Sequence, residues 1–241
     1  MMKMRILCLH GMYQRASVFE QKTQHLAQAL DVELLFLDGP VHVVPKILRQ
    51  SKKPFATEDY KAWWDPKIPM TADTHSQLFQ YVGDAIKKEG NIDGVLGFSQ
   101  GASMASLLCS TEAHEKLQWT PKVAVLFGGY TDNAYDLLTL QAIMPQVHSL
   151  HMYGINDNVV PAKRSQDLAT IFKKAQAQVV EYSHGQGHVV PKAPEAVQAI
   201  KDFLDPHIKL HNHIQHVKNL SCSDEFVARG TLCPRERQLY V

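Results

Sequence analysis

Five consecutive residues, Gly97-Phe98-Ser99-Gln100-Gly101, hold a serine between two glycines at a spacing suited to nucleophilic attack on a carbonyl. They follow the apolar run Gly94-Val95-Leu96 and precede a helix-like stretch from Ala102, which places the serine on a tight strand-to-helix turn. Such a turn strains its central residue, and side chains two positions to either side would collide; glycine at 97 and 101 removes both collisions. The helix start just after Ser99 adds unpaired N–H groups and a positive dipole end, both suited to a developing oxyanion. Composition alone produces this three-position pattern in roughly one of every dozen chains of such length, so the argument rests on the flanking strand and helix.

A serine is a poor nucleophile at neutral pH, so it needs a base, and the base needs a partner that fixes its tautomer. On this kind of turn the chain order is Ser, then Asp or Glu, then His. Asp157 lies in the turn after a strand-like run at 147–153, and His188 lies in a glycine-bearing loop after another at 177–182. Both therefore leave a parallel sheet on the same edge as Ser99. His184 competes as the base but sits closer to its strand and lacks the flanking Gly187; Asp132 and Asp136 compete as the acid but follow the strand that comes one too early. Among 13 histidines a downstream His is nearly guaranteed, so order and placement carry the assignment.

The oxyanion needs two backbone donors, expected from the N–H of Gln100 and, in the loop after the first strand, the N–H of Met12. His10 reads as a structural residue of that loop, and Gly11 as a point of close backbone approach. Apolar neighbours of these positions, Tyr13, Val159 and Val189 with Val160 and Val190, suit an acyl pocket. Residues 41–70 are too long and mixed for an ordinary crossover and read as a pocket-shaping insertion. Its Trp63 and Trp64 either contact substrate or pin the insertion to the core; the sequence favours neither. Arg15 is the lone arginine at these loops, which argues against a phosphate ester.

The elements that must position these residues alternate. Near-continuous apolar runs at 4–9, 33–37, 93–98, 122–127, 148–153 and 178–182 read as strands buried on both faces; 17–30, 74–89, 99–114, 163–174 and 194–204 read as helices. Alternation of this kind predicts an α/β architecture: a doubly wound, mostly parallel six-stranded sheet in the order 2-1-3-4-5-6, flanked by helices.

Leu9-His10-Gly11, Gln14, Leu37-Asp38-Gly39-Pro40, Trp63-Trp64, Gly97-Phe98-Ser99-Gln100-Gly101 and Gly187-His188-Val189-Val190-Pro191 occur together in this order. In them the chain resembles the FSH family of serine hydrolases, which takes in the ovarian-cancer-associated protein 2-like esterases, over roughly residues 3–204. The resemblance implies an α/β-hydrolase fold without a large lid, a Ser99, Asp157, His188 triad, and hydrolysis of carboxylic esters or thioesters. A hydrolase-like interaction module without turnover is the reading from another class.

Lysine plus arginine total 25 against 24 acidic residues, a net charge of +1 with no basic stripe, which argues against nucleic acid as a partner. No run is long and apolar enough to span a membrane, the N-terminal apolar run is too short for a secretory signal, and the four cysteines lack close pairing, so a cytoplasmic enzyme is expected. The expected partner is a small acyl ester or thioester. Neither an organic cofactor nor a metal is expected. The expected division is a hydrolase domain at 1–205 and a tail at 206–241. His207, His211, His213 and His216 with Cys222 and Cys233 make no strong zinc spacing, and a short amphipathic helix through Leu210, Ile214 and Val217 is the preferred reading of the tail.

Overall fold

The computed structural model describes residues 3–45, 60–68, 70–131 and 142–229, with side chains to 218. The main sheet is formed by β1 (Met4–Leu9), β2 (Val32–Leu37), β5 (Gly94–Phe98), β6 (Val123–Phe127), β7 (His148–Gly154) and β8 (Val179–His184). They pair in parallel in the order β2-β1-β5-β6-β7-β8, which is the order expected from the alternation. A two-residue pairing of β3 (Val41–His42) with β4 (Lys61–Ala62) closes the base of the insertion. The competing acids Asp132 and Asp136 and the Lys52-Lys53-Pro54 stretch lie outside the described residues.

Helices cover both faces. On one side lie α1 (Ala16–Ala29) and α6 (Pro194–Arg229); on the other lie α2 (Ala72–Glu89), α3 (Gln100–Leu107) and α5 (Ala162–Lys174), with α4 (Thr111–Leu117) beside them. The two-residue period of β1 divides its side chains between these layers. Met4, Ile6 and Cys8 join Phe19, Leu26, Ile200 and Leu204, whereas Leu7 and Leu9 join Trp63, Phe79, Leu107 and Phe172. Burial raises the Cys8 and Cys109 thiols far above their ordinary range, so both behave as small apolar groups.

Two elements differ from the sequence reading. The helix expected over 99–114 divides, because the Ser110 hydroxyl accepts the Ala113 N–H and starts a separate helix, α4. The helix expected to end near 204 continues as α6 past Pro206, a residue that removes one helical hydrogen bond. Tertiary contacts outweigh that loss: Ile208 is buried in the core, His207 packs edge-on against His148, and His211 Nδ1 lies 3.3 Å from Asp93 Oδ1.

Along β7, His151 is fully buried against Phe172, with Nε2 3.1 Å from Ser149 Oγ. Burial lowers its pKa to about 3, so the folded protein holds it neutral while the unfolded chain binds a proton near its ordinary value of 6.5. The unfolded state therefore binds more protons between these values, and stability is present above pH 6.5 and lost progressively as pH falls. Between pH 7 and 5 this one residue is expected to cost about 2 kcal/mol. Denaturant titrations at the two pH values should show that loss, and His151→Leu should flatten it.

Candidate active site

Ser99 joins β5 to α3 with φ 56° and ψ −122°, a conformation that L-residues rarely adopt. Backbone crowding enforces the glycines on either side. A Cβ at Gly97 would sit 2.3 Å from the Gly101 carbonyl oxygen, and one at Gly101 would sit 2.1 Å from that of Leu9. The elbow is thus pressed onto the end of β1, and Ser99 N–H donates to Phe127 O of β6 at 2.8 Å.

Asp157 and His188 reach this edge from the ends of β7 and β8. His188 Nδ1 lies 2.6 Å from Asp157 Oδ2. A carboxylate only accepts, so Nδ1 carries the proton and Nε2 is left as the basic nitrogen. The other carboxylate oxygen accepts the N–H groups of Val159 and Val160, each at 2.8 Å, which fixes the buried Asp157 side chain and satisfies its charge. The His188 ring packs on Phe98, with centroids 4.7 Å apart, directly beside Ser99 in sequence. Ser99 is 8% exposed, and among the described residues its hydroxyl makes no hydrogen bond. The carboxylate–imidazole pair is formed, and the Ser99 hydroxyl is bonded to neither member of it.

His184, the competing base, has no bond to Asp157; its Nδ1 is buried without a hydrogen-bond partner among the described residues, and burial lowers its pKa. His10 has both nitrogens occupied. Gly39 N–H donates to Nε2 at 2.8 Å, so Nδ1–H donates to the Gly11 carbonyl, and burial holds the ring neutral. The N–H groups of Met12 and Gln100 donate to no acceptor among the described residues. Tyr13, at φ 62°, donates its own N–H to Lys61 O.

Both tryptophans are buried, and the backbone of each is bound to the elbow. Gln100 accepts the Trp63 N–H through Oε1 and donates through Nε2 to the Trp64 carbonyl, each at 2.9 Å, while the Trp63 indole N–H donates to His10 O. Both indoles also line a cavity of about 250 Å³ between β3, β4 and α2. Tyr13, Val159 and Val189 stand away from that cavity, the valines 66% and 44% exposed. No group of His, Cys, Asp and Glu suited to a metal ion occurs among the described residues, and no described helix is long and apolar enough to cross a membrane.

Sequence reasoning missed Gly128 and its supports. At φ 57°, a Cβ there would lie 3.2 Å from His188 Cε1 and 3.9 Å from Asp157 Oδ2. The segment is held by Ser103 Oγ–H donating to Tyr130 O at 2.6 Å and Ser165 Oγ–H donating to Gly129 O at 2.7 Å. The available signal was Gly128-Gly129 directly after the apolar β6 run.

The family model described as serine hydrolase (FSH1) matches residues 1–200. Esterase OVCA2 of Danio rerio is 31% identical over 224 residues, covering 83% of this chain and 96% of the relative. Esterase OVCA2 of Homo sapiens is also 31% identical over 224 residues, covering 84% and 96%. Among solved structures, a Bacillus cereus carboxylesterase matches with TM-score 0.60 at 17% identity over 85% of this chain and 88% of that one. Zea mays acyl-protein thioesterase 2 matches with TM-score 0.61 at 20% identity over 86% and 94%. At such identities the likeness is one of fold, the α/β-hydrolase fold, and no large lid is present among the described residues.

Gly128→Ala should force the His188 ring aside and strain a left-handed backbone by about 1–2 kcal/mol. A lowered thermal midpoint and a displaced low-field resonance of the His188 Nδ1 proton are expected; an unmoved resonance would mean the methyl is accommodated elsewhere.

Proposed function

The chain belongs to the serine hydrolase (FSH1) family and is an ester-hydrolysing enzyme, and we propose that it acts on carboxylic esters through an acyl-enzyme formed on Ser99, with Asp157 and His188 completing a triad. The observation that supports this reading is the 2.6 Å His188–Asp157 bond, which leaves Nε2 as the basic nitrogen of a ring packed on Phe98, the residue before the strained Ser99.

In the reaction, the Ser99 hydroxyl turns toward His188 Nε2 and attacks the ester carbonyl as its proton passes to that nitrogen. Catalytic hydrogen bonds are often open in the free enzyme and tighten around substrate, so this side-chain rotation is an ordinary requirement. The carbonyl oxygen gains charge as the tetrahedral intermediate forms, and the unpartnered N–H groups of Met12 and Gln100 are its donors. Asp157 favours the imidazolium while its own charge stays bound to two backbone amides. The intermediate collapses as His188 returns the proton to the leaving alkoxide. Water then adds to the acyl-enzyme, gives its proton to the same nitrogen, and releases the carboxylic acid and Ser99.

A thioester offers the same carbonyl with a better leaving group, so an acyl thioesterase activity would use the same residues. Matched acyl esters and thioesters assayed side by side measure which is preferred.

Ser99→Ala should lower kcat by about a thousandfold or more while the thermal midpoint stays near that of the wild type. A fluorophosphonate should label the wild type at Ser99 and leave the variant unmodified. Asp157→Asn should lower kcat by about ten-thousandfold, because the amide favours the wrong imidazole tautomer. Wild-type turnover in S99A would overturn the assignment.

A further inference from the structure

The oxyanion donors Met12 and Gln100 belong to segments far apart in the chain, the loop after β1 and the first turn of α3. A donor serves the transition state only at about 2.7–3.1 Å from the oxyanion, so the distance between the two segments must be held closely. Backbone contact sets one limit. A Cβ at Gly101 would meet the carbonyls of Leu9 and His10, so the segments come no nearer than they stand. Contact of this kind does nothing to stop them parting.

The bonds that hold them together run through a third segment, residues 61–64 of the insertion. Toward the β1 loop, Tyr13 N–H donates to Lys61 O at 2.8 Å and Lys61 N–H donates to Gln14 O at 3.0 Å, an antiparallel bridge directly after Met12. The Trp63 indole N–H adds a bond to His10 O at 2.8 Å. Toward the elbow, the Gln100 side chain takes the place of a neighbouring strand: Oε1 accepts Trp63 N–H and Nε2 donates to Trp64 O, each at 2.9 Å. Gln100 and Trp63 are buried, so these groups have no water to turn to if the bonds are lost. Tyr13 holds a φ of 62°, unfavourable for a residue with a Cβ, and its bond to Lys61 helps to retain it. The reaction uses only the backbone of Gln100, which any residue would supply. The bridge needs a side chain that both donates and accepts, which a carboxylate or a thioether does not offer.

We propose that residues 61–64 are the template that spaces the two oxyanion donors, with the Gln100 side chain and the Trp63 indole as positioning groups; the inference rests on the reading of Ser99, Asp157 and His188 as a triad and of Met12 and Gln100 as donors. The insertion thereby acts on the reaction through the backbone of two other segments. Loosening it lets Met12 and Gln100 drift apart and weakens the hold on a charge that appears only in the transition state, so kcat falls and KM stays. The His188–Asp157 pair arrives from the ends of β7 and β8 and takes no part in the bridge.

Two variants separate position from chemistry. Gln100→Met keeps the backbone N–H and a side chain of similar length but removes both side-chain bonds, and Trp63→Phe removes the indole N–H. The test measures kcat and KM for para-nitrophenyl acetate, the inhibition constant of a short alkylboronic acid, which forms a tetrahedral adduct on serine, and the low-field resonance of the His188 Nδ1 proton. In Gln100→Met kcat should fall about a hundredfold and in Trp63→Phe about tenfold, with KM within about twofold of wild type. The boronic acid should weaken by the same factors while the His188 resonance stays in place. Thermal midpoints identify the folded variants, and Trp63→Phe, which loses a single bond of the bridge, remains informative if Gln100→Met does not fold. Undiminished kcat in a folded variant, a raised KM at constant kcat, or slowed turnover with unchanged boronic-acid affinity overturns the template. So does a displaced His188 resonance, because the loss would then come through the triad. Turnover that survives Ser99→Ala would instead strike the triad reading, a result independent of either variant.

Discussion

The approach of the Ser99 turn to the end of β1 is the contact on which the site depends. Gly101 comes so close to the carbonyls of Leu9 and His10 that a methyl group has no room, and Gly97 meets the backbone of Gly101 and Ala102 in the same way. This closeness sets the first turn of α3 against the β1 loop, where the unpartnered N–H groups of Met12 and Gln100 belong to adjoining segments. It also demands the positive φ of Ser99, because only a reversal at that residue lets the chain leave β5 and enter α3 beside β1. The strain is held by the sheet around it: Ser99 N–H remains bonded to Phe127 O, as though β5 continued one residue further.

From that contact a chain of polar bonds runs outward through groups that would be costly to bury unpaired. His10 uses one nitrogen for its own loop and the other for Gly39 N–H, joining the ends of β1 and β2. Gly39 needs to be glycine because a Cβ would lie 2.4 Å from Ala62 O, so the loop after β2 is pressed against the base of the insertion. Gln100 and the Trp63 indole complete the circuit back to the elbow. Asp38 adds a further tie: its carboxylate accepts Ala16 N–H at 2.6 Å and supplies the cap that Arg15 does not give α1, and its carbonyl accepts the Tyr81 hydroxyl from α2.

Sequence made the strands, their order and the approach of Asp157 to His188 legible, because each rests on a local pattern: an apolar run, a glycine spacing, or a loop directly after a strand. Features set by distant neighbours were not legible. Gly128 matters for the imidazole lying above it, Gln100 for the backbone it grips 36 and 37 residues away, and Ser103 for the Tyr130 backbone, and no spacing rule encodes such partners. Of the two readings offered for Trp63 and Trp64, burial and the Trp63 indole bond to His10 O fit pinning of the insertion to the core, and both residues also belong to the lining of the cavity. The helix expected over 194–204 runs on through Pro206 for a related reason: the packing of Ile208 and His211 outweighs local propensity.

The histidines show why residue type alone settles so little. His10 and His151 are buried more deeply than His188, yet their ring nitrogens face a carbonyl, an amide and a hydroxyl, and burial lowers the pKa of both. His184 is only four residues from His188 and near enough to Asp157 to feel its charge, but it makes no bond to it. His188 differs in its surroundings: one nitrogen is fixed by a carboxylate that two amides already hold in place, its ring is braced by Phe98, and Gly128 leaves space beneath it. His10 has the Asp38 carboxylate 4.0 Å from Nε2 and His151 feels the charge of Glu181, but burial outweighs both and keeps these rings neutral, whereas His188 Nδ1 is bonded directly to a carboxylate. That difference in partners, drawn from the ends of β5, β6 and β7, is what sets His188 apart from His10, His151 and His184.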